Sequence, residues 1–91
     1  MNAARANLER RFRDGYARRL QEMIQMLEAQ DLDGLRARFH SLAGIGGTYG
    51  HFDVTELARR GEERCHAADL TGALQIVAAL RRLPDTWEVA A

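Results

Sequence analysis

Histidine is the side chain whose protonation changes near neutral pH, and this chain has three of them, His40, His51 and His66. His40 stands apart because of what surrounds it. In the stretch RARFHSLAGIGGTYG, Arg36 to Gly50, it is followed by Gly44, Gly46, Gly47 and Gly50. An imidazole supplies a neutral nitrogen that can act as nucleophile or base, and neighbouring glycines remove side chains that would hold a large partner away. Gly44, Gly46 and Gly47 fall inside a segment that reads as helix, where together they cost roughly 2 to 3 kcal/mol of helix propensity. Small size is then what they contribute: packing for Gly46 on the core stripe, and partner access for Gly44 and Gly47.

Other chemistries fit these residues less well. Neither G-x-G-x-x-G nor G-x-x-x-x-G-K-[ST] can be read from Gly44 to Gly50, and no strand pattern precedes the segment, so a phosphate-binding loop is excluded. Ser41 adjoins His40, but consecutive helical residues diverge by about 100° and do not face each other, which argues against a serine hydrolase. Cys65 and His66 point apart for the same reason, and His40 and His51 would lie about 16 Å apart along a continuous helix, so no metal site is expected. As the single cysteine, Cys65 has no disulfide partner within the chain and reads as a small core residue.

The elements that position His40 follow from apolar periodicity. Leu8, Phe12, Tyr16, Leu20, Met23 and Leu27 form one stripe, predicting a helix over 5–29 interrupted only by Gly15. Leu35, Phe39, Leu42, Gly46 and Tyr49 form a second over 32–49, capped by Asp31 and stopped by Gly50. Asp53 with Glu56 reads as a capping box opening a third helix over 53–66, whose face is Val54, Leu57, Ala58, Gly61 and Cys65. Ala73, Ile76, Val77, Leu80 and Leu83 mark a fourth over 71–83, with Asp69 and Thr71 as cap candidates and Pro84 as its stop. The tail 84–91 is expected to fray, with Trp87 as its one docking residue. Four amphipathic helices with short connections predict an all-α, antiparallel up-down-up-down four-helix bundle forming a single domain over 1–91.

Composition narrows the function further. At 91 residues with 46% hydrophobic and 29% charged, the chain suits one globular domain too small for a deep substrate cavity. Thirteen arginines, with no lysine, balance thirteen acidic residues, so no excess of positive charge points to nucleic acid or an anionic membrane. No apolar run suggests a membrane span or a secretory leader, and the expected location is the cytoplasm.

With the helices in place, His40-Ser41-Leu42-Ala43-Gly44, then Gly47 and Tyr49-Gly50, resembles the signature of histidine-containing phosphotransfer domains. In that family the pattern reads His-x-Leu-Lys-Gly, followed by small residues, on the second helix of a four-helix bundle. Length, helix order and the Leu83-Pro84 ending extend the resemblance across the chain. It implies that His40 accepts a phosphoryl group through Nε2 from an aspartyl phosphate on a response-regulator receiver domain and passes it on. The partners implied are receivers, including those of hybrid histidine kinases. The magnesium ion is implied to belong to the receiver, so that this chain needs no cofactor and has no kinase or phosphatase activity of its own.

One departure matters: the family's lysine, three residues after the histidine, is Ala43 here. An exposed charge pair is worth only about 0 to 1 kcal/mol, so its loss should tune phosphohistidine lifetime more than abolish transfer. Arg36, one turn before His40, is the candidate for the missing charge. Docking is expected on Arg36, Ala43, Gly44 and Gly47, with a rim from Arg10, Arg11, Arg18 and Arg19 of the first helix. A monomer is expected because four helices close their own core. The alternative, an adaptor or inhibitor that binds a kinase or receiver without phosphotransfer, has Ala43 in its favour.

Overall fold

The computed structural model describes residues 3–87, which form four α-helices: α1 (Ala3–Glu28), α2 (Leu32–Thr48), α3 (Phe52–His66) and α4 (Leu70–Arg82), closed by a 3₁₀ turn at Leu83–Thr86. Cross-helix pairs run in opposite directions along the chain. Glu9 meets His51 and Glu22 meets Arg38 between α1 and the α2 end of the molecule, while His40 meets Glu62 between α2 and α3. Tyr16 of α1 donates its hydroxyl to the Leu80 carbonyl of α4. The result is the expected antiparallel four-helix bundle, 44 × 19 × 19 Å.

All three helix connections share one device. At Gln30, Gly50 and Ala68 the backbone turns left-handed, with φ of 54°, 79° and 57°. The next N–H then reaches back to close the preceding helix: Asp31 to the Met26 carbonyl at 2.9 Å, His51 to Gly46 at 2.8 Å, Asp69 to Arg64 at 2.8 Å. That same next residue stands at the cap position of the following helix, and in two of the three its side chain makes the cap. The Asp31 carboxylate accepts from the Gly34 N–H at 2.9 Å and Asp69 from the Gly72 N–H at 2.8 Å. No linker remains, so the register between neighbouring helices is set within one or two residues.

The core is built from the predicted stripes, with Leu35, Phe39, Val54, Ala58, Ala73 and Leu80 wholly inaccessible. Phe39 seats its ring on Gly61 of α3, where an added Cβ would run into the ring. Three expectations are corrected. Leu8 is exposed at 48% rather than buried, because α1 spans 26 residues, about 39 Å, against 17 for α2, and its first turns project beyond the partner helices. Tyr49 is 40% exposed and only leans on Phe12, ring centroids 5.3 Å apart. The capping box at Asp53 does not form. The cap position belongs to His51, whose imidazole turns away to Glu9, and Glu56 pairs with Arg60 instead.

Asp53 serves the tail. Its Oδ2 accepts the Trp87 indole N–H at 2.9 Å, and Trp87 packs against His51, Tyr16 and Phe12 at centroid distances of 4.4, 5.2 and 5.7 Å. The described part of the tail, 84–87, is therefore docked rather than frayed; the remainder of the expected fraying lies outside the described residues.

Under this cluster, burial acts to raise the Glu9 carboxyl pKa, but hydrogen bonds and charge from His51 and Arg13 outweigh it and hold it below its ordinary 4.5. A lowered carboxyl adds stability above its unfolded value and loses it as pH falls through the folded one. Glu9→Gln is thus expected to lower stability at pH 7, by less than about 1 kcal/mol for so exposed a group, and to approach the native protein as the pH falls through the folded value. Thermal unfolding followed from pH 7 downward measures this.

Candidate functional site

His40 lies at the middle of α2, one residue after the buried Phe39, and the helical turn that buries Phe39 presents His40 outward, with 78% of its side chain exposed. Its Nδ1 lies 3.0 Å from Oε2 of Glu62 on α3. An ionised carboxylate can only accept, so Nδ1 carries the proton in this contact and the lone pair of a neutral ring sits on Nε2. Glu62 therefore does two things: it fixes the ring's orientation and it selects the tautomer whose free nitrogen is the outer one.

His40 borders a shallow groove of about 560 Å³ between α2 and α3. From α2 come Arg36, His40, Ala43 and Gly44, and from α3 come Arg59, Glu62, Glu63 and His66. Sequence reasoning found the first four. It missed the α3 wall entirely, since Glu62 is 22 residues from His40 and only the α2–α3 register brings them together. The short Gly50 turn carried that register, because it forces a tight antiparallel pair.

The small residues sort by their surroundings. A Cβ on Gly44 would meet nothing within 4 Å, so packing does not demand glycine there and the space beside His40 is open. Gly46 is buried, and a Cβ would come within 2.7 Å of the Thr55 hydroxyl and 3.0 Å of the His51 carbonyl, which is the packing role expected of it. Gly47 is half-buried and does not border the groove, unlike its expected place in the docking strip. Ala43 is corrected more sharply. Expected on an exposed strip, it is only 7% exposed, because α3 closes over it and the Thr55 hydroxyl donates to its carbonyl at 2.7 Å. It forms the floor of the groove. The α1 arginines proposed as a rim border no part of it.

Cys65 is buried as expected, and burial pushes its thiol pKa up, opposed by the Arg36 charge and reinforced by Glu62. Neither Arg36 nor Arg59 has an ion pair among the described residues, whereas Arg38, Arg60 and Arg64 pair with Glu22, Glu56 and Asp69. The groove thus offers an exposed imidazole with one nitrogen held and one free, on a floor without obstructing side chains, beside two uncommitted guanidinium groups. Such a surface suits a nucleophile that a second protein must cover. No helix among the described residues is long and apolar enough to cross a membrane.

No curated protein and no solved structure matches the chain. The family model for the Hpt domain matches residues 8–88, a span that takes in all of α2, α3 and α4 and most of α1, and the chain belongs to the Hpt domain family.

Proposed function

We propose that His40 is the phosphoacceptor of this domain and that the chain is a phosphorelay intermediate. Hpt domains carry phosphoryl groups on histidine in two-component phosphorelays, interacting with receiver domains and histidine kinases, and are themselves neither kinases nor phosphatases. The observation that carries the assignment to His40 is the 3.0 Å contact between its Nδ1 and Glu62 on a side chain 78% exposed.

In the forward step, the Nε2 lone pair attacks the phosphorus of a receiver's aspartyl phosphate. The N–P bond forms as the P–O bond to the aspartyl carboxylate breaks, and the aspartate leaves with the electron pair. The ring keeps its proton on Nδ1 and becomes a phosphorylated imidazolium, whose positive charge the Glu62 carboxylate faces. The reverse step returns the group to a second receiver. Positioning and charge placement are the main catalytic demands of such a transfer, and the receiver supplies the magnesium ion that neutralises the phosphoryl oxygens. The open surface at Gly44 lets the receiver's active site close over the ring. As a carrier between receivers, the protein works in the cytoplasm, as a monomer.

The test is transfer from phosphorylated receivers of the same organism, following acid-labile, base-stable label. Label on the native protein supports the reading. Its absence from every receiver that binds the protein would overturn the reading in favour of an adaptor.

Glu62 is a positioning residue in this mechanism. Glu62→Ala is expected to slow transfer about 10-fold through loss of ring orientation. Glu62→Gln, whose carbonyl can still accept from Nδ1–H, should recover most of the rate. Equal losses for both variants, or a loss that merely follows unfolding temperature, would count against the role.

A further inference from the structure

A phosphoryl group on His40 would bring two negative charges to a groove that already contains Glu62 and Glu63, so the cations on its walls decide how well it is held. The register of the two helices shows which cation is in reach. On α2, His40 is followed one turn later by Ala43 and Gly44. On α3, which runs the other way, Glu62 stands opposite His40 and Thr55 bonds the Ala43 carbonyl. Arg59 lies between them, one turn from Glu62 on the same face, and so comes level with Ala43 and Gly44 across the groove.

Three features make Arg59 more than a solvated surface charge. It borders the groove, and it is the one arginine of α3 without an ion pair among the described residues, Arg60 and Arg64 being held by Glu56 and Asp69. The floor in front of it is a buried alanine and a glycine, which leave its side chain room to lie toward His40. Arg36 stands one turn to the other side of His40, also without an ion pair among the described residues. His66 completes the rim.

We infer that Arg59 is a phosphoryl-binding residue of this domain, its guanidinium holding the oxygens of the phosphoryl group on His40 from the α3 side while Arg36 approaches from α2. This rests on His40 being the phosphoacceptor. A planar guanidinium can engage two phosphoryl oxygens at once, so the cation lost with alanine at position 43 is supplied from the opposite helix.

Phosphoramidate, a small-molecule phosphoryl donor, can load histidine without a receiver and so separates holding the group from docking. The native protein, Arg59→Ala and Arg59→Lys are each loaded and followed by ³¹P NMR against pH and by the rate of phosphohistidine loss. In Arg59→Ala the second ionisation of the phosphoryl group is expected to move to higher pH, and the phosphohistidine lifetime to change by about two- to five-fold, the effect of one exposed charge pair. Arg59→Lys should fall between the two. A phosphoryl titration and a lifetime in Arg59→Ala equal to the native protein's would overturn the inference. Receiver transfer is measured on the same samples. Loss of transfer to the native protein while phosphoramidate-loaded samples still respond to Arg59→Ala would overturn the relay reading and leave the phosphoryl contact standing.

Discussion

His40→Ala is expected to reduce label taken from a phosphorylated receiver to background, a fall of at least about 10³-fold, because the reacting nitrogen is removed with the side chain. The two remaining histidines make this a sharp test. His51 has only 13% of its side chain exposed, with its Nε2 3.0 Å from Glu9 and its ring stacked on Phe12 at 4.2 Å, so a partner's active site cannot close over it. His66 borders the same groove and is exposed, which makes it the only competitor there among the described residues. His66→Ala should therefore keep its label. The stability of His40→Ala should stay within about 0.5 kcal/mol of the native protein, since the side chain packs against almost nothing. Label persisting in His40→Ala and vanishing in His66→Ala would move the nucleophile to α3.

Phe39→Ala is expected to have the largest effect on folding, about 3 to 5 kcal/mol in urea unfolding. Small domains have only about 5 to 15 kcal/mol in total, so the variant should sit near the edge of stability. The reason is geometric as well as hydrophobic. The Phe39 ring fills the gap between α2 and α3 at Gly61, next to both His40 and Glu62 in sequence. Removing it leaves a cavity at the place where the spacing of the two helices sets the 3.0 Å contact. Transfer by the folded fraction should slow as well. A variant with native urea midpoint would show that the helices are held apart by something other than this ring.

Much of this was legible from residue order, for reasons that can be named. The stripes of α2 and α4 emerged because one face of each is buried along most of its length, so period and burial coincide. Leu8 broke the rule because periodicity describes a helix and not whether a neighbour extends far enough to cover it. Of the three left-handed turns, only Gly50 was visible: glycine advertises that conformation, whereas Gln30 and Ala68 adopt it with side chains that give no sign. At the site, the exposure of His40 and the nearness of Arg36 and Gly44 on its own helix could be anticipated. Glu62 and Arg59 could not, because their nearness is a property of how two helices align. Ala43 was misplaced for a related reason: whether a residue beside the core stripe is covered depends on the rotation of the next helix, which no pattern within α2 records.

The tight turn at Gly50 has a consequence for how such a domain can change over generations. Every residue placed at the groove belongs to α2 or α3, and the turn makes that pair one continuous hairpin with its own short-range register. α1 and α4 contribute core contacts and outward surface but no residue to the lining of that groove. Substitutions on the outer faces of those two helices can therefore accumulate while the lining of the groove is inherited intact. Duplicated copies could thus diverge over much of their surface with the α2–α3 hairpin unchanged.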